Sequence, residues 1–168
     1  MRLLFIGDSL IEYFDWQERF PKNVVYNLGV AGETVEGLYA RIQFVYAQIE
    51  TPDAIFIMTG INNLAMGDKK FIPTYRKIVK GFKKQYKSSR VFVQSLLPVF
   101  FPWISNDDIR DINRELKKMA DAEKVTYLDI HAAFLDQNGP VRDYLMEDGV
   151  HVSEKGYSAW AGEIEKLL

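Results

Sequence analysis

The stretch "LLFIGDSLIEYF", residues 3–14, sets four apolar residues in a row and then breaks off at Gly7, Asp8 and Ser9. A strand with one wet face alternates apolar and polar side chains, and Leu3 to Ile6 do not. A run that is apolar at every position is the mark of a strand covered on both faces, as in the middle of a parallel sheet. The same unbroken pattern returns at 54–58 (AIFIM), and three further runs at 24–28 (VVYNL), 91–96 (VFVQSL) and 125–130 (VTYLDI) are rich in strand-forming residues. These are read as five strands.

Helical periodicity fills the gaps. Val35, Leu38, Ile42, Val45 and Ile49 recur at steps of three or four, as do Ile109, Ile112, Leu116 and Met119, and finally Tyr157, Trp160, Ile164 and Leu167 or Leu168. The lysines of "KKFIPTYRKIVKGFKKQYK" at 69–87 are spaced as the wet face of another helix. Ser105, Asn106 or Asp107 can cap a helix over 108–123, and Ser153 one beginning near Glu154. Strands alternating with helices predict a three-layer α/β fold with a parallel sheet and right-handed crossovers. No repeat, low-complexity tract or linker interrupts residues 1–168, which are read as one domain.

The chain is 48% hydrophobic and 26% charged, and 14% of it is aromatic. A formal charge of −2, from 21 basic and 23 acidic residues, gives no electrostatic case for nucleic acid as a partner. With no cysteine, disulfides, thiol catalysis and cysteine-based zinc sites are excluded. Leu3 to Ile6 are too short a run for a signal peptide or a membrane span, so the chain is read as soluble and cytoplasmic, with no integral membrane segment.

In open α/β sheets, ligands bind beyond the carboxyl ends of the strands. The unusual residues gather there: Gly7-Asp8-Ser9 after the first run, Asn27 to Gly32 with the second, Thr59-Gly60-Ile61-Asn62-Asn63 after the third, and "MEDGVH" at 146–151 after the last. A serine hydroxyl needs a base within hydrogen-bond reach and a third group to orient that base. His151, with Asp148 three residues earlier across Gly149, can supply both from one turn. His131, two residues after Asp129, is the alternative; its place after an apolar strand favours a structural role. Donors for a developing oxyanion are available in the Ser9 N–H, the Gly32 N–H and the Asn62 side-chain amide.

The four blocks "GDSL" (7–10), "NLGVAG" (27–32), "GIN" (60–62) and "DGVH" (148–151) resemble those of the GDSL, or SGNH, hydrolases. The resemblance implies an α/β/α fold with five parallel strands in flavodoxin-like order. It implies Ser9 as nucleophile, His151 as general base and then acid, Asp148 as its orienter, and an oxyanion hole of Ser9, Gly32 and Asn62. No metal or organic cofactor is implied. The "SLLPV" turn at 95–99 and Asn113 are most similar to the platelet-activating-factor acetylhydrolase-like branch. One departure stands out: the third block usually continues Asn-Asp, whereas here it reads Asn62-Asn63, so a carboxylate that holds the loop has become an amide.

The expected activity is hydrolysis of a small-molecule carboxylic ester, with short acyl groups such as acetyl favoured by the short chain. Longer acyl chains, as in a lysophospholipase or thioesterase, and a catalytically silent binding module are the alternatives. A flavin carrier would need a Ser/Thr- and Gly-rich phosphate loop where "GDSLIEYF" stands, and a phosphatase would need a carboxylate where Thr59 and Gly60 stand. The loop "LPVFFPWISND", 97–107, carries Val99, Phe100, Phe101, Trp103 and Ile104. Its readings are a pocket wall, a lid, a membrane-surface contact, or closure of the core or of a homodimer. With Asp8 and Asn63, which flank the candidate nucleophile and amide, Val99, Phe100, Phe101 and Trp103 are the further candidates for substrate or loop contacts.

Overall fold

The computed structural model describes residues 1–168. Five parallel strands, β1 (Arg2–Gly7), β2 (Val24–Gly29), β3 (Ala54–Met58), β4 (Arg90–Gln94) and β5 (Thr126–Leu128), form one sheet in the order β2-β1-β3-β4-β5. This is the flavodoxin-like order. Leu3 to Ile6 and all of β3 are fully buried, as continuous apolar runs demand. Phe5, Phe56 and Phe92 occupy one register row and stack across three strands, at 5.1 and 4.8 Å between centroids.

Two layers of helices make those strands central. On one side lie α3 (Val35–Gln48), α5 (Ile72–Gln85) and α6 (Asn106–Glu123). Their buried stripes are the periodic ones: Val35, Leu38, Ile42 and Val45 in α3, and Ile109, Ile112, Leu116 and Met119 in α6. On the other side, α2 (Trp16–Arg19) and α8 (Glu154–Glu165) cover the aromatic row. Trp16 stacks on Phe5 at 4.2 Å and meets Trp160 edge-on at 5.3 Å, while the Trp160 indole N–H donates to Gln94 at 2.7 Å. No helix is long and apolar enough to cross a membrane.

Several boundaries differ from the sequence reading for local reasons. The fifth run stops as a strand at Leu128, because the Asp129 carboxylate caps the short helix α7 (Ile130–Ala133) by accepting from the Ala132 N–H. The fourth ends at Gln94, and Asn113 of α6 then clamps Leu96, accepting from its N–H at 2.8 Å and donating to its carbonyl at 2.9 Å. Ser105 is the cap of α6, which begins at Asn106 and not at 108. A hairpin of β6 (Leu135–Asp136) and β7 (Gly139–Pro140) and a 3-10 turn, Arg142–Tyr144, carry the chain back to the carboxyl edge of the sheet.

Candidate active site

The last residue of β1 must be glycine, because a Cβ on Gly7 would lie 1.7 Å from the Met58 carbonyl oxygen of the neighbouring strand. The chain then turns at once into α1 (Ser9–Glu12), capped by Asp8, whose Oδ1 accepts from the Leu10 N–H at 3.0 Å. Ser9 therefore stands at the first turn of a helix, with a main-chain N–H that has no acceptor inside that helix. The register of β1 with β2 and β3, Gly7 beside Gly29 and Met58, brings the second and third blocks to the same place.

The turn after β2 is held tightly. The Val30 N–H donates to the Gly7 carbonyl at 2.9 Å, and the Ala31 N–H donates to the Glu12 carboxylate at 2.6 Å. Gly32 has a φ of 76°, which glycine alone adopts freely, and its N–H has no acceptor within the chain. One proton of the amide of Asn62, in α4 (Ile61–Ala65), goes to the Glu33 carbonyl at 2.9 Å, which leaves the other available beside Gly32. Arg41 grips both Glu33 carboxylate oxygens, at 2.6 and 2.7 Å, and donates to the Leu28 carbonyl. Asn27 donates to the Ile11 and Phe14 carbonyls and ties the end of α1 to β2.

The last block comes from the loop before α8. His151 Nε2 lies 3.1 Å from Ser9 Oγ, and its Nδ1 lies 2.6 Å from Asp148 Oδ2. The other Asp148 oxygen accepts from the Val150 and His151 N–H groups, both at 2.9 Å. Partial burial pushes the Asp148 carboxyl up, but the hydrogen bonds from the His151 ring and these two N–H groups outweigh it, and the group lies below its ordinary value. Gly149 allows the turn: its φ is 74°, and a Cβ there would meet the Phe100 carbonyl oxygen at 2.6 Å. The Phe100 N–H donates to the Gly149 carbonyl at 2.8 Å, so the aromatic loop and the His151 turn are joined.

Ser9, Gly32, Asn62, Asp148 and His151 thus meet at one edge of the sheet. Other candidates do not. Asp8 is fully buried beneath the serine and Asn63 is 2% exposed, so neither presents a surface to a substrate. Burial pushes the Asp8 carboxyl up to about 7, against the Leu10 N–H bond and the His151 charge. Val99 and Ile104 belong to the core, Phe101 packs against it, and Phe100 and Trp103 stay exposed. His131 sits in α7, 8% exposed, and its main-chain N–H donates to Ser95 Oγ at 2.7 Å.

The departure at Asn63 has a local explanation. Its Nδ2 donates to Glu36 at 2.8 Å and Asp68 at 2.9 Å, while its Oδ1 accepts from the Val35 N–H at 2.9 Å. With two carboxylates facing this position, only a donor fits. Residues that sequence reasoning passed over include Glu12, Glu33 and Arg41, whose bonds span unrelated segments. Tyr13 was missed too: its ring lies 5.3 Å from that of His151.

The model of the GDSL-like lipase/acylhydrolase family matches residues 5–159. The chain belongs to this family. It is a hydrolase of the esterase type, as a family of lipases and acylhydrolases implies. An N-acylneuraminate cytidylyltransferase of Escherichia coli is 28% identical over 171 residues, covering 99% of this chain but only 40% of that protein. Platelet-activating factor acetylhydrolase IB subunit alpha1 of Rattus norvegicus is 25% identical over 175 residues, covering 99% of this chain and 74% of its own. An acetyl xylan esterase from Geobacillus stearothermophilus shares the fold with a TM-score of 0.78 at 23% identity, over 98% of this chain and 93% of that one.

Proposed function

We propose that this GDSL-family hydrolase cleaves short-chain, acetyl-type esters through an acyl-serine intermediate, with Ser9, His151 and Asp148 as the triad. The observation that carries the reading is the unbroken line of hydrogen bonds from Ser9 Oγ through both nitrogens of His151 to Asp148. Ser9 Oγ attacks the ester carbonyl while its proton passes to His151 Nε2. The negative charge that develops on the carbonyl oxygen is met by the Ser9 and Gly32 N–H groups and the free proton of the Asn62 amide. The imidazolium, stabilised by the ionised Asp148, returns the proton to the leaving alkoxide and the C–O bond breaks. Water then attacks the acyl-serine and gives its proton to the same nitrogen, which passes it to Ser9 Oγ as the acyl C–O bond breaks, releasing the acid and the serine hydroxyl.

A small acyl group is supported by the names of the rat and Geobacillus proteins, in both of which acetyl groups feature. The test is Ser9→Ala, which leaves the far-ultraviolet spectrum unchanged while hydrolysis of p-nitrophenyl acetate and labelling by a fluorophosphonate are both lost. Undiminished turnover in that variant refutes the assignment.

A further inference from the structure

Twelve large apolar side chains stand exposed on the protein, and six of them lie on the segments that build the candidate site. The Tyr13 N–H donates to the Ser9 carbonyl at 3.0 Å, that of Met66 to Asn62 at 3.1 Å, that of Met146 to His151 at 2.7 Å, that of Val30 to Gly7 at 2.9 Å and that of Phe100 to Gly149 at 2.8 Å. Trp103 follows three residues after Phe100 on the same loop. Each of these segments therefore carries an exposed apolar side chain one main-chain hydrogen bond from a site residue or from a glycine within two positions of one. The hydrogen bonds that shape the site also hold these side chains at the surface. Met66 and Trp103 are the most open, at 76% and 77%, while Ser9 lies low among them at 8%. Scattered singly, such residues need no explanation; gathered about one nucleophile, they mark a contact surface.

Whatever covers this rim also covers Ser9. A second copy of the chain seated there shuts the serine away from its ester. A layer of amphiphiles that itself holds the ester covers the rim and delivers the reacting group together. The side chains suit such a boundary: Trp and Tyr rings are apolar with a polar edge and are enriched where hydrocarbon meets headgroups, and the unbranched methionine adapts to an irregular surface. A formal charge of −2 gives no general pull towards anionic headgroups, so the contact rests on apolar insertion.

We infer that this rim docks the protein, by the carboxyl edge of its sheet, on a lipid layer of no net charge, with Met66 and Trp103 as the side chains that enter the hydrocarbon, and so presents a lipid-borne ester to Ser9. The docking stands on the exposed side chains; its purpose rests on the serine-esterase reading above.

The probe is a phosphatidylcholine vesicle. Trp16 and Trp160 are fully buried, so Trp103 is the tryptophan that lipid can reach. On addition of vesicles the protein's emission moves to shorter wavelength and is quenched by lipid brominated in its acyl chains, equally at low and high salt. The partition coefficient, measured by flotation, falls about tenfold or more in the double variant Met66→Ser, Trp103→Ser, as removing two large apolar side chains from the contact requires. It does not fall in Phe44→Ser, which removes a ring 70% exposed on α3. In the double variant, kcat/KM for dodecyl acetate carried in the vesicles falls by a similar factor relative to that for p-nitrophenyl acetate in solution. Unchanged emission without flotation overturns the inference, as does binding that needs anionic lipid and vanishes in high salt, or an equal loss in Phe44→Ser. A parent that sediments as a dimer, with a monomeric double variant, overturns it in favour of a second copy. If vesicles bind and neither ester is hydrolysed, the serine-esterase reading fails and the docking surface stands; if p-nitrophenyl acetate is hydrolysed and vesicles do not bind, the docking surface alone falls.

Discussion

Replacing Asn63 by aspartate restores the residue usual in the family, and the structure predicts that it harms this chain. The substitution keeps the shape and the acceptor for the Val35 N–H, but it turns the donor facing Glu36 and Asp68 into a third carboxylate oxygen. Two charge-assisted hydrogen bonds vanish, each worth about 1.5 to 3 kcal/mol. Repulsion adds about 1 kcal/mol per pair if Glu36 and Asp68 swing into water, and about 4 kcal/mol if they stay. Protonating the new carboxyl limits the damage, since moving from an unfolded value of about 3.9 to pH 7 costs about 4 kcal/mol at 1.36 kcal/mol per unit. The expected loss is therefore about 3 to 4 kcal/mol near neutrality. The sign with pH follows from a folded-state value raised above the unfolded one: below the unfolded value only the loss of one of the two donors remains, and the pH-dependent part grows as pH rises and is complete above the folded value. Urea unfolding followed by tryptophan fluorescence at about pH 4 and pH 7.5 measures it. Adding Glu36→Gln and Asp68→Asn to Asn63→Asp recovers most of the loss. A variant within about 0.5 kcal/mol of the parent at the higher pH refutes the reasoning.

Other substitutions test other parts of the structure. Asn62→Ala removes one proposed oxyanion donor, and steady-state kinetics on p-nitrophenyl acetate show kcat lowered about 10²-fold with KM little changed. Because burial raises the Asp8 carboxyl to about 7, the parent loses stability as pH climbs from the unfolded value of 3.8 and gains none back above the folded one. Asp8→Asn, which can still cap α1, removes that slope, and urea midpoints at about pH 5 and 8 register the difference. Gly149→Ala forces a positive φ on a residue with a Cβ and presses it on Phe100, with an expected cost of about 2 kcal/mol or more by thermal unfolding.

What could be read in advance follows from the range over which each feature is encoded. Strands β1 and β3 announce themselves because full burial on both faces leaves no polar position, and α3, α6 and α8 because several turns repeat one apolar stripe. The four-residue helices α2 and α7 are shorter than any such repeat, and β5 is cut short by a capping aspartate that looks like one more strand residue. The residues of the candidate site were legible as chemistry, and their convergence followed from the rule about strand ends. Their supports were not. Asn63 with Glu36 is a pair that only the packing of α3 against the third block brings together, and Glu33 with Arg41 and Asn63 with Asp68 are charged and polar pairs whose bonding no apolar repeat announces. The burial of Asp8 depends equally on the helices above the sheet, which a local sequence window does not contain.

Ser9 and His151 stand 142 positions apart, one on the first strand and the other just ahead of the last helix. During synthesis Ser9 leaves the ribosome 142 residues ahead of His151, the base proposed for it, so the proposed pair can form only after the five strands have emerged. On the proposed triad, a fragment that ends before His151 is expected to be inert towards esters. In refolding, the return of esterase activity becomes a report on the closing of the entire sheet, from its first strand to its final loop.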